Sequence, residues 1–268
     1  MDQLAPLYQG ILNSKILKID PNETKATCND CLRSKKCSNL KEYFRADLKC
    51  CTYQPFLPNF IIGAILSDPE ITVGTKKLIT DRIEKDQFVL PIGLFPSFSF
   101  QVEFTNRDLH QFGQTESWLC PFFNKAENKC NIWRYRGSVC TSYYCESNHG
   151  AKGKKFWKNF ESYFSYFEWG LMEEVLVYKD FSPRQISDQL QFLGVREATE
   201  KEMAMQVIPQ AAAQKYWNGY YEDKVQFFKD SYQFVLALKR KNINEIKGSQ
   251  GTTLEADVMK SFTGIGKL

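Results

Sequence analysis

Eight cysteines of the 268-residue chain fall into two groups: Cys28, Cys31, Cys50 and Cys51, then Cys120, Cys130, Cys140 and Cys145. A Cys-x2-Cys step such as Cys28–Cys31 lets two thiolates turn onto one ion, which makes it half of a zinc site. Iron–sulfur clusters use the same thiolates at more varied spacings. The adjacent pair Cys50-Cys51 is harder to place on one tetrahedral ion. In extended backbone successive side chains face opposite ways, so the pair fits better with two metals, or with a cluster that takes one of the two. The ninth cysteine, Cys37, sits among Lys35, Lys36 and Lys41 and is read as a non-ligand. An odd total excludes complete disulfide pairing within one chain. The cofactor expected is an iron–sulfur cluster or zinc, with iron–sulfur the favoured of the two.

The first six residues carry no basic stretch and no apolar stretch of a secretory signal. The longest apolar run, about Phe60 to Leu66, is far short of the roughly 20 residues of a membrane span. A soluble, cytoplasmic protein is therefore expected, in a compartment where clustered thiols hold metal more often than disulfides. Lys and Arg number 35 against 31 Asp and Glu, a net charge of +4 mixed along the chain. That excess gives no electrostatic footprint for nucleic acid or an anionic membrane surface. A protein partner or protein substrate stays open.

The motifs extend beyond spacing. Cys28-x2-Cys31 and Cys50-Cys51 precede Cys120-Pro121-Phe122-Phe123. Then come Cys130-Asn131-Ile132-Trp133-Arg134-Tyr135-Arg136-Gly137-Ser138-Val139-Cys140 and Tyr144-Cys145. This pattern resembles the YkgJ-type cysteine cluster family, described as a zinc- or iron-chelating domain. The resemblance covers about residues 28–150 and is most specific in its second half. Eighteen residues separate Cys31 from Cys50 where that family has two or three, and Gly137 stands where it has Pro. Flagellin lysine N-methylase is a more distant likeness with a similar cysteine start. It implies, as an alternative to plain metal binding, a metal-stabilised protein-modifying enzyme; a zinc-stabilised adaptor is a third class.

Two histidines complete the inventory of titratable metal ligands and bases. His149 follows Cys145 at a spacing that permits ligation, but a loop histidine beside Gly150 is the plainer reading, and His110 has no chemical partner nearby in sequence. With so few imidazoles, a His-based hydrolase is not favoured.

The elements that must position the cysteines divide the chain. Residues 1–150 form a cysteine-rich metal-binding region and 151–268 a cysteine-free helical region, as two parts or one continuous domain. The fold class expected is α+β, mainly helical, with a short strand region packed against C-terminal helices. Leu78, Ile79 and Ile83 suit a helix over 76–86, while Phe98, Phe100, Val102 and Phe104 alternate as in a half-buried strand over 97–104. Aromatic and aliphatic residues from Phe156 to Tyr178 recur at three- and four-residue steps, predicting a long helix over about 154–179. Ser182-Pro183-Arg184-Gln185 and Thr199 with Glu202 are capping boxes. A last long helix is expected over about 221–241, and Gly248-Ser249-Gln250-Gly251 should break the chain before a short helix over 253–262.

Overall fold

The structure is a computed structural model that describes residues 4–23, 31–34, 44–263 and 265. Cys28 and Cys37 lie outside the described residues. The architecture is mainly helical with a small antiparallel sheet. The described chain opens with a 3-10 turn at Pro6–Gly10 and the short helix α1 (Ser14–Leu17). The two-residue strand β1 (Leu57–Pro58) then leads into α2 (Asn59–Ser67) and α3 (Val73–Glu84). Strands β2 (Val89–Leu90) and β3 (Gly93–Leu94) form a sheet with β1 in the order β1-β3-β2, all antiparallel. Gly93 has φ of 145°, and a Cβ there would meet the Leu57 carbonyl oxygen at 2.1 Å, so only glycine lets β3 lie this close to β1.

Next come α4 (Phe98–Thr105), the hairpin strands β4 (Phe123–Asn124) and β5 (Lys129–Cys130), and α5 (Ser138–Ser142). The long α6 (Gly150–Tyr178) is followed by α7 (Pro183–Leu190), α8 (Glu200–Met203), α9 (Gln210–Trp217), α10 (Lys224–Ala237) and α11 (Arg240–Phe262). The 29 residues of α6 bury one stripe along their length, including Phe156, Phe160, Phe164, Phe167, Leu171 and Val175. Helices α5 and α11 lie along it, and α2 packs against both α6 and α10. A single buried cluster runs from Leu4 through Ile61 and Phe164 to Phe262, so the cysteine-bearing and cysteine-free parts share one core.

Helix α2 is apolar on every side and buried throughout from Asn59 to Leu66. Its polar first residue, Asn59, is fully satisfied: Nδ2 donates to the carbonyls of Pro91 (3.1 Å) and Met172 (3.3 Å), and Oδ1 accepts from the Phe60 amide. Gly63 sets the approach of α10, because a Cβ there would stand 1.9 Å from the Phe228 carbonyl oxygen.

The stretch expected as a strand over 97–104 is instead α4. Ser97 caps it, its Oγ accepting from the Phe100 amide at 3.2 Å. The same phenylalanines satisfy both periods: Phe100 and Phe104 are one helical turn apart and stack with centroids 5.2 Å apart, while Phe98 and Gln101 share the buried face. Alternation over eight residues did not separate the two periods, and the cap decides between them.

Both capping boxes form, at Ser182–Gln185 and Thr199–Glu202, although the second heads a helix of only four residues. The expected helix over 221–241 is shorter, ending at Ala237. The break expected at Gly248 is a kink inside α11, where Gly248 has φ of 51°. Tyr166 Oη covers the kink by donating to the carbonyls of Ile246 and Lys247. Beyond it Glu255 accepts from Asn13 Nδ2 (2.7 Å) and Tyr163 Oη (3.2 Å) and pairs with Lys247 (2.7 Å). No described helix is long and apolar enough to cross a membrane.

Gly63→Ala is expected to lower unfolding free energy by about 1–3 kcal/mol, the usual range for overpacking a tight core. Denaturant titration against wild type checks it; an unchanged midpoint would mean that α2 and α10 separate at no cost.

Candidate metal centre

The backbone joins the two cysteine groups directly. Residues 46–52 form a turn in which the Leu48 and Lys49 amides donate to the Arg45 carbonyl and the Cys51 amide to that of Leu48. Lys49 takes φ of 54° in this turn. The Cys51 carbonyl then accepts from the Cys120 amide at 2.7 Å, and the Thr52 hydroxyl accepts from the Gly113 amide at 2.8 Å. Because the vicinal pair sits in a turn rather than extended backbone, both Cys50 and Cys51 line one cavity. The expectation that adjacent cysteines face apart rested on extended geometry, which the chain does not adopt here.

Cys120 and Cys130 are brought together by the β4–β5 hairpin, in which Cys130 is the register partner of Phe123. The Asn124 side chain organises the turn by accepting from the Ala126 and Glu127 amides, and Asn128 closes it with φ of 54°. Lys49 Nζ donates to the Asn128 carbonyl at 3.3 Å and so ties the vicinal-cysteine turn to the hairpin. Cys140 rides on α5. The Arg136 guanidinium lies 3.4 Å over the Trp133 ring and donates to the carbonyls of Trp133 and Cys140.

Five thiols, Cys50, Cys51, Cys120, Cys130 and Cys140, thus line a cavity of about 810 Å³. Cys31 and Cys145 are not among its lining residues. Arg33, two residues after Cys31, pairs with Glu146 at 3.1 Å, and the Cys145 thiol has Cys31 and Cys50 as electrostatic neighbours. Among the described residues, no group of three or more His, Cys, Asp or Glu side chains is drawn close enough to hold an ion. The five sulfurs that line the cavity face one space but are not drawn together into a ligand set.

Four of these cysteines are held in the thiol form. A hydrogen bond with Cys51 and then burial push the Cys50 thiol well up. Burial, followed by Cys130 and Cys50, pushes Cys140 to about 12, and burial, followed by Cys31 and Cys50, pushes Cys145 to about 11. Burial also raises Cys120. Such thiols are poor nucleophiles in their own right, and a bound cation is what would convert them to thiolates.

Several cavity residues were invisible to spacing arguments. Glu23 lines the cavity and is held by Ser147 Oγ (2.6 Å), the Asn148 amide (2.7 Å) and Trp157 Nε1 (2.9 Å). His149 hydrogen-bonds the Pro21 carbonyl at 2.6 Å and does not line the cavity, so it pins the segment that carries Glu23. His110 is exposed on the loop after α4. A smaller cavity of about 150 Å³ shares Tyr53, Pro55, Val139 and Cys140 with the first and reaches Glu168 on α6. Glu168 accepts from the Ser138 amide (2.9 Å) and Tyr8 Oη (3.1 Å), fastening α5 and the N-terminal turn to α6. A carboxylate between Phe164 and Met172 on a buried helical stripe was the sequence signal for it.

No family model, no curated protein and no solved structure matches the chain.

Burial raises the Glu168 carboxyl to about 7, against the lowering effect of Ser138 and Tyr8. The folded state thus holds a proton that the unfolded chain releases near pH 4.5, and stability contributed by this group is lost as pH rises from about 4.5 to about 7. The shift corresponds to roughly 3 kcal/mol. Glu168→Gln should abolish this decline, so the difference in unfolding free energy between wild type and variant should change by that amount between pH 4.5 and 8. A pH-independent difference would show that Glu168 ionises in the folded protein as it does in water.

Proposed function

We propose that this protein holds an iron–sulfur cluster, or in its place zinc, through clustered cysteines. The candidate ligands are Cys28, Cys31, Cys50, Cys51, Cys120, Cys130, Cys140 and Cys145. The observation that carries the reading is that thiols from both sequence groups line one cavity, with the Cys51 carbonyl and Cys120 amide bonded between them. The resemblance to the YkgJ-type cysteine cluster family supports the same reading. The cysteines would supply the thiolate ligands, and a bound cluster would supply electron transfer. The chain's own part is to hold the donors on three short, hydrogen-bonded pieces: the 46–52 turn, the hairpin and α5.

A second reading is a protein-modifying enzyme of the lysine methyltransferase-like kind in which the metal is an accessory. It draws on the volume of the cavity, because a purely structural site is closed around its ion. An adaptor with a sealed zinc site fits that volume less well.

Purification without oxygen, followed by metal analysis and an absorption spectrum, tests the proposal. A brown protein containing iron and sulfide supports a cluster, a colourless one with bound zinc supports the zinc form, and protein with neither after reconstitution overturns both. Cys130→Ser and Cys140→Ser should each lose metal, whereas Cys37→Ser should keep it. Structural zinc contributes on the order of 10–16 kcal/mol in small peptides. Chelation under reducing conditions should therefore lower the thermal transition of the whole chain, because the core is continuous. An unchanged transition after metal removal would exclude a structural role.

A further inference from the structure

The cavity is far larger than a metal site needs. Its volume of about 810 Å³ lies within the range of roughly 300–1,000 Å³ in which proteins bind organic ligands. Its walls also divide by chemistry. The sulfurs of Cys50, Cys51, Cys120, Cys130 and Cys140 come from the turn, the hairpin and α5, and Arg136 is the cation that neighbours Cys50 and Cys140. Phe104, Phe112 and Tyr143 form an aromatic wall, in which Phe112 meets Phe104 and Tyr143 edge-on at 5.9 and 5.7 Å. Tyr143 is 42% exposed, an aromatic surface that its own chain leaves wet.

Arg107 completes this wall. Its guanidinium lies 3.8 Å over the Phe104 ring and 5.9 Å from the Phe112 ring centroid, and it donates to the Phe104 carbonyl. The charge balance of the lining favours an acid. Among the described residues that line it, Lys49, Arg107, Lys129 and Arg136 stand against one carboxylate, Glu23, whose oxygens already accept from Ser147, Asn148 and Trp157; Lys129 is itself paired with Glu127.

We propose that the cavity binds a flat aromatic acid, with its ring against Phe112 and Tyr143 and its anionic group at Arg107. This site goes beyond the metal reading and does not rest on it, since none of these three residues is a candidate ligand. A planar ring would dry the exposed surface of Tyr143 beside Phe112, and the acid would gain a charge-assisted pair with a guanidinium already oriented by its stacking on Phe104.

The test uses the full chain, prepared both metal-loaded and metal-free. The probes are the anionic fluorophore 8-anilinonaphthalene-1-sulfonate and its uncharged analogue N-phenyl-1-naphthylamine. Circular dichroism and a cooperative thermal transition establish that each sample is folded. The sulfonate dye should bind one per chain with blue-shifted emission, and ~10-fold more tightly than the uncharged probe, the size expected of one charged hydrogen bond. Arg107→Gln should erase that preference and leave binding of the uncharged probe unchanged; Tyr143→Ala should weaken both. Both substitutions are at exposed positions. Equal binding of the two probes, binding without saturation, or a dye affinity indifferent to Arg107→Gln would overturn the site. Metal content measured on the same samples separates the two readings. A metal-loaded protein that binds no dye refutes the organic site alone, and a metal-free protein that binds it supports the site without the metal.

Discussion

The arrangement depends on one constraint: a single helix must bury an aromatic stripe over 29 residues. No one neighbour is long enough to cover α6, so α11, α5 and α2 divide its length among them. Two polar side chains fix where the neighbours stop. Glu168 takes the Ser138 amide at the start of α5, and Tyr166 takes the carbonyls released at the kink of α11. The position of Cys140 is thus set from below by a carboxylate, and the direction of the last helix by a phenol. Hydrophobic burial supplies the driving force, but these directional bonds choose one packing from the many that an aromatic ridge would tolerate.

The cysteine region has almost no regular structure of its own. Its strands are two residues long and its helix α5 five, so the usual ladders contribute little. Order comes from side chains that stand in for backbone partners: Asn124 in the hairpin turn, Thr52 receiving the Gly113 amide, Lys49 reaching the Asn128 carbonyl, Arg136 bonding to the Trp133 and Cys140 carbonyls. Such a frame sets five sulfurs on one cavity through separate hydrogen bonds rather than through a ladder.

What the sequence made legible follows from which forces are local. The long helix and both capping boxes are written in neighbouring residues and formed as expected, whereas the break expected at Gly248 is only a kink inside a continuous α11. The strand read over 97–104 became α4 because eight alternating residues fit two periods, and only the Ser97 cap distinguishes them. At the site, Cys50 and Cys51 of the first group and Cys120, Cys130 and Cys140 of the second line the same cavity. The cavity beside them was not legible. Phe112, Tyr143 and Arg107 become neighbours through the fold, and nothing in their spacing relates them. That Cys50 and Cys51 line the same cavity was also not legible, because their relative direction depends on a turn in which Lys49 takes a left-handed conformation that its side chain does not announce.

The clasp at Glu255 has a consequence for the order in which this molecule can be completed. Its carboxylate holds Asn13 across 242 residues of sequence, and α11 covers the ridge of α6 on which the N-terminal turn also rests. A nascent chain emerges at about 5–20 residues per second. The stretch around Asn13 therefore waits on the order of ten seconds or more for its last partner, while the aromatic face of α6 stays uncovered. During synthesis the thiols precede the helices that will steady them. The 46–52 turn, the hairpin and α5 are therefore all synthesised before α11 exists to cover the ridge to which α5 is fastened.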